Sequence, residues 1–154
     1  MTFWDAIEVG MERSLGTYTF TPEAIVAFAE KYDPQRFHLS EDGARGSIFG
    51  ALCASGWHTA SVWMRLNILN GPVEWKRATG IAPPPFGPSP GMNEIRWLRP
   101  VYSGETVRFG SRVTDKRESR SRPGWGIVTS DGTGALEDGT MVLTMNAAVL
   151  VPTR

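Results

Sequence analysis

Cysteine is almost missing from this chain, and histidine occurs only twice. The single cysteine, Cys53, excludes a disulfide framework and a cysteine-built metal cluster. It lies in an apolar run, so it reads as a small buried residue. Net charge is absent too: 16 basic and 16 acidic residues cancel. No field therefore favours nucleic acid or an anionic membrane surface. No apolar run reaches the ~18 residues of a membrane helix. The first residues, Met1-Thr-Phe-Trp-Asp-Ala-Ile-Glu, carry acids and lack the basic-then-apolar order of a leader. The expectation is a soluble cytoplasmic protein with no metal, no membrane and no nucleic-acid partner. At 154 residues, without an internal repeat or linker, residues 1–154 read as one domain able to bury a core.

One segment stands out among what is present: Phe28-Ala-Glu-Lys-Tyr-Asp33-Pro34-Gln35-Arg36-Phe37-His38. Thr21 is a good N-cap and Pro22 suits the first helical position. Ile25, Phe28, Ala29 and Tyr32 follow at helical spacing, and Pro34 ends the helix at Asp33. Asp33 thus sits at a helix C-terminus, where the dipole disfavours a carboxylate and would make it a better proton acceptor. His38 lies five residues further on. A carboxylate and an imidazole on one short turn can hold a water between them.

A second helix is expected over Gly56–Asn70. Ser55 would cap its start and Asn70-Gly71-Pro72 would stop it. Trp57, Ala60, Val62, Trp63, Met64, Leu66, Ile68 and Leu69 leave little of its circumference polar, which predicts a buried helix. Residues 78–93 hold five prolines and three glycines and cannot be regular structure. A first strand is expected over 11–20. Later strands are expected over 95–101, 106–114, 126–129 and 141–151, with turns at Asp131-Gly132 and Asp138-Gly139. This order predicts an α+β fold, an antiparallel sheet wrapped around a long buried central helix.

At these residues the chain resembles the hot-dog fold and, within it, the MaoC-like dehydratase and (R)-specific enoyl-CoA hydratase family. Asp33-Pro-Gln-Arg-Phe-His38 resembles the family's Asp-x-Asn-Pro-x-His motif. Ala54-Ser55-Gly56-Trp57 resembles the His-Gly-Met step that opens its central helix. Arg99-Pro-Val-Tyr-Ser-Gly104-Glu105 resembles the Pro-Val-x-x-Gly-Asp turn after the loop. Gln35 stands where the motif has Asn, Pro34 is displaced, and Ser55 replaces His. The resemblance implies a hydro-lyase that adds water to an enoyl thioester, or removes it from an (R)-3-hydroxyacyl thioester. Asp33 and His38 would then handle water, and the Gly56 N–H would hold the developing enolate. Gln35, Ser55 and Trp57 would lie against the substrate. No metal or organic cofactor is implied; coenzyme A or a carrier pantetheine belongs to the acyl thioester. A homodimer or higher even oligomer is expected, because a lone hot-dog leaves an edge strand and half a helix uncovered. The 78–93 loop is expected to border the acyl entrance.

Two other functions compete. A hot-dog thioesterase usually carries an acid on or near the central helix, and residues 56–70 contain none. A non-catalytic acyl-binding or partner subunit is the other, against which the Asp33/His38 pair argues. His58 reads as a satisfied polar group near a helix start rather than a catalytic one. Arg108, Arg112, Arg117, Arg120 and Arg122 read as a solvated strand face before a coenzyme A site.

Overall fold

Five antiparallel strands in the order β1-β3-β4-β5-β2 curve around one long helix in the computed structural model, which describes residues 1–154. The strands are β1 (Glu12–Thr19), β2 (Gly91–Trp97), β3 (Thr106–Glu118), β4 (Trp125–Leu136) and β5 (Met141–Pro152). The helices are α1 (Phe3–Ala6), α2 (Pro22–Tyr32), α3 (Arg36–Leu39), α4 (Glu41–Arg45) and α5 (Gly56–Thr79). This is the expected α+β hot-dog arrangement. Alternation carries it: in β3, Val107, Phe109, Ser111 and Val113 point inward. Val107 and Phe109 join Val62 and Trp63 of α5, Leu15 of β1 and Leu143 of β5 in one apolar cluster, and Val113 joins Trp75, Val128 and Val151 in a second.

α2 begins and ends as its sequence dictates. The Thr21 hydroxyl accepts from the Ala24 N–H at 3.2 Å, and Asp33 is the C-cap. α1, capped by a reciprocal Thr2–Asp5 pair, is a helix beyond those expected. It places Phe3 and Trp4 in the second cluster.

α5 does not stop at Asn70-Gly71-Pro72 but runs on to Thr79. Two contacts and the exposure of Pro72 explain this. The Asn70 amide donates to the Leu15 carbonyl at 2.6 Å, which a bulge in β1 leaves out of the ladder. Trp75 is buried among Phe3, Phe86 and Val128. Pro72 is itself exposed, so it leaves no amide-less backbone inside the core. Burying a tryptophan offsets the roughly 3 kcal/mol that an interior proline costs.

α5 is also less covered than its composition predicts. Trp57, Ile68, Leu69 and Val73 are more than half exposed. Asp131-Gly132 is no turn either, since β4 runs straight through it. A Cβ at Gly132 would come within 2.7 Å of the Trp63 indole, so this glycine makes room for α5. The chain reverses instead at Glu137–Thr140, with Gly139 at φ +89°. β2 starts earlier than expected, at Gly91, and the arginine-bearing residues 119–124 form the β3–β4 hairpin.

Candidate active site

The backbone brings Asp33, His38 and Ser55 together. The Gln35 N–H bonds the Asp33 carbonyl at 2.8 Å and the His38 N–H bonds the Gln35 carbonyl at 2.9 Å, which folds 33–38 into a tight step. Residues 52–54 then pass alongside. The Cys53 N–H bonds the Phe37 carbonyl at 3.2 Å, and the Ala54 N–H bonds the Val101 carbonyl at 2.8 Å. Ser55 follows as N-cap of α5, next to Asp33.

The His38 imidazole is buried and faces two ways. Its Nδ1 lies 2.6 Å from the Cys53 carbonyl oxygen. A carbonyl can only accept, so Nδ1 carries the proton and Nε2 keeps its lone pair in the neutral ring. Nε2 lies 3.5 Å from Asp33 Oδ2. Phe37 meets the ring edge-on at 4.6 Å and Phe49 covers it at 6.5 Å.

The Asp33 carboxylate is held on both oxygens. Ser55 Oγ donates to Oδ2 and Gln35 Nε2 to Oδ1, each at 2.7 Å. Burial pushes its pKa up, but these two donors and the nearby imidazole outweigh that, and the net result lies below the ordinary carboxylate value. This reverses the expectation drawn from the helix dipole: Asp33 is the weaker proton acceptor. The donors act over 2.7 Å and directly on the charge, whereas the end of an eleven-residue helix acts diffusely.

A cleft of about 400 Å³ opens over the pair, lined in part by Asp33, Gln35, His38, Gly56, Trp57 and Trp97. The Gly56 N–H is free at the start of α5. A side chain there would overlap the Trp97 indole, whose Nε1 donates to the Gly56 carbonyl at 2.7 Å. Trp57 packs edge-on to Trp97 at 5.1 Å. Ser55 is buried and does not line the cleft; its hydroxyl is committed to Asp33 and to the Trp57 N–H. The loop after α5 is absent from the cleft walls. Pro83–Ser89 instead roof a separate cavity and do not border this cleft. Phe86 draws the loop away by packing on Phe3 and Trp75.

Three parts of the site went unread in the sequence. Trp97 was visible only as a strand aromatic. The Cys53 carbonyl is a main-chain group whose role depends on register. Phe49 has no pattern around it that points to His38. Cys53 itself is buried as expected, and burial raises its thiol to about 11. His58 is buried too, but its Nδ1 has no partner, so the expected satisfied polar group is unsatisfied. It is stacked at 4.7 Å on Phe28 and does not line the cleft.

Residues 6–133 match the model of the MaoC like domain. The chain belongs to the MaoC-like domain family. A MaoC-like dehydratase from Rhodospirillum rubrum is 32% identical and superimposes with a TM-score of 0.83, covering 100% of this chain and 99% of that one. An uncharacterized protein, YdeM of Bacillus subtilis (strain 168), is 25% identical over 120 residues, 78% of this chain and 79% of YdeM. The (R)-hydratase from A. caviae involved in PHA biosynthesis shares the fold, with a TM-score of 0.69 at 24% identity over 95% of this chain and 98% of that one. Family membership supports a hydratase or dehydratase as the general activity of this MaoC-like chain.

Proposed function

We propose that the chain is a hydro-lyase acting on an enoyl or (R)-3-hydroxyacyl thioester, with Asp33 and His38 handling the water. The observation that carries this is the 3.5 Å pairing of Asp33 Oδ2 with a His38 Nε2 whose lone pair is free, beside the unpaired Gly56 N–H. Water placed there donates one hydrogen to each acceptor. In hydration its oxygen attacks C3 and Nε2 takes a proton. The double-bond electrons move onto the thioester oxygen, which the Gly56 N–H receives at the start of α5. The enolate then collapses and the imidazolium returns a proton to C2 on the same face, so H and OH add syn. Asp33 remains ionised and stabilises the imidazolium while it lasts. An amide donor of this kind is worth roughly 3 kcal/mol of barrier. The scheme needs no metal or organic cofactor.

Loss of enoyl-thioester ultraviolet absorbance, followed with crotonyl, longer-chain and branched coenzyme A thioesters, tests the reading. It requires hydration of at least one substrate to the (R)-3-hydroxyacyl product. Thioester cleavage, or inertness toward the whole panel as both coenzyme A and carrier-bound forms, refutes it.

A further inference from the structure

One hydrogen bond fixes one edge of an imidazole; its plane is fixed by what packs on its faces. The Cys53 carbonyl holds Nδ1 of His38, Phe37 meets the ring edge-on, and Phe49 lies across its face with the two planes 28° apart. Phe49 also packs on Phe37 at 4.9 Å and lines the cleft. Its backbone lies in the turn 46–50, which has a glycine at each end, Gly50 at φ +73°, and Ile48 94% exposed between them. The hydrogen bonds of this turn run back to Ala44 or stay within 47–50, with one exception. The Tyr102 hydroxyl donates to the Phe49 carbonyl at 2.9 Å, across 53 positions of sequence.

Tyr102 is itself held firmly. Its N–H donates to Glu105 Oε1 at 2.7 Å. Arg99 donates to the same oxygen at 2.8 Å, and its guanidinium lies 5.5 Å over the Tyr102 ring. The main chain of Tyr102 bridges that of Cys53 in antiparallel fashion. The Ser103 N–H to the Leu52 carbonyl at 3.0 Å and the Ala54 N–H to the Val101 carbonyl at 2.8 Å flank this bridge. Together they set the register of the segment whose carbonyl faces His38. Any residue could supply that main-chain pairing, so the pairing does not account for a tyrosine; the hydroxyl donor does. Tyr102 does not line the cleft.

We propose that Tyr102 is a positioning residue for His38: its hydroxyl holds Phe49 over the imidazole and so keeps Nε2 aimed at Asp33 and the cleft. This role rests on the reading of His38 as the group that takes the proton from water. A catalytic side chain is only as precise as the neighbours that lock its rotamer, and small misplacements are costly in rate.

Tyr102→Phe removes one oxygen and leaves the ring beneath Arg99. With an accepted enoyl thioester it is expected to lower kcat roughly tenfold and leave KM nearly unchanged. Phe49→Leu, which keeps the carbonyl and loses the ring, should lower kcat similarly, and the double variant should be little worse than either. Proton and nitrogen-15 spectra of the histidine rings give a readout independent of turnover. Only His38 and His58 contribute to them, and His58→Phe assigns the signals. In Tyr102→Phe the His38 ring protons should lose the ring-current shift of Phe49, while the His58 signals stay in place. Unmoved His38 signals, a raised KM with kcat intact, or kcat losses that multiply in the double variant overturn the proposal. If the wild type turns over no thioester, the hydro-lyase reading falls, and the His38 spectra alone decide whether Tyr102 holds this ring.

Discussion

His38 owes its tautomer to a main-chain carbonyl, and the Ser55 and Gln35 donors hold Asp33 below the ordinary carboxylate range against its burial. The spacing of the acid and the imidazole was legible in the sequence, because Pro34 fixes where the helix ends and His38 follows within one turn. The direction of the Asp33 shift was not, because it depends on a hydroxyl 22 residues away. His58 provides a contrast. Burial among Phe20, Phe28 and Tyr18 depresses its pKa to about 4, so folding is opposed wherever the ring must be charged. Between its ordinary value near 6.5 and about 4 the unfolded chain binds the extra proton, and stability falls as pH falls through that window. The loss is at most roughly 3 kcal/mol at about 1.4 kcal/mol per unit. His58→Phe should flatten that limb of a urea-denaturation series from pH 7 to 4 and keep most of the activity. An unchanged limb would place the titrating group elsewhere.

The elements were legible wherever one face decided them. α2 followed from its cap, its stripe and its proline, β3 from its alternation and β5 from its β-rich composition. Legibility ended where two elements touch. Asn70-Gly71-Pro72 carries a stop signal, but Asn70 is tied to Leu15 and Trp75 is buried one turn beyond Pro72. Asp131-Gly132 carries a turn signal, but Gly132 serves the approach of Trp63. Trp63 cannot yield easily, being 2% exposed with its Nε1 donating to the Gly110 carbonyl at 2.9 Å. Gly132→Ala should therefore cost about 1–3 kcal/mol by overpacking, measured by chemical denaturation. A true turn glycine at that position would leave Trp63 fluorescence and stability nearly unmoved by a change that kept the turn.

At the scale of the molecule, no helix is long and apolar enough to cross a membrane. One stripe of α5 remains open at Trp57, Ile68, Leu69 and Val73, and β2 pairs on one side only. A second copy covering this stripe and edge would remove the exposed apolar surface. Light scattering at micromolar concentration should give a dimer or higher even oligomer. Leu69→Asp combined with Val73→Asp should shift it toward monomer, and a monomeric wild-type chain would contradict the expectation. The central claim is that Asp33 and His38 act as one unit on water, and a double-mutant cycle on hydration of an accepted enoyl thioester tests it most directly. Asp33→Asn and His38→Ala should each lower kcat by 10²–10⁴-fold or more, roughly the range of general acid–base groups, with the double variant little worse than either. Full activity in Asp33→Asn, or losses that multiply in the double variant, would contradict the account.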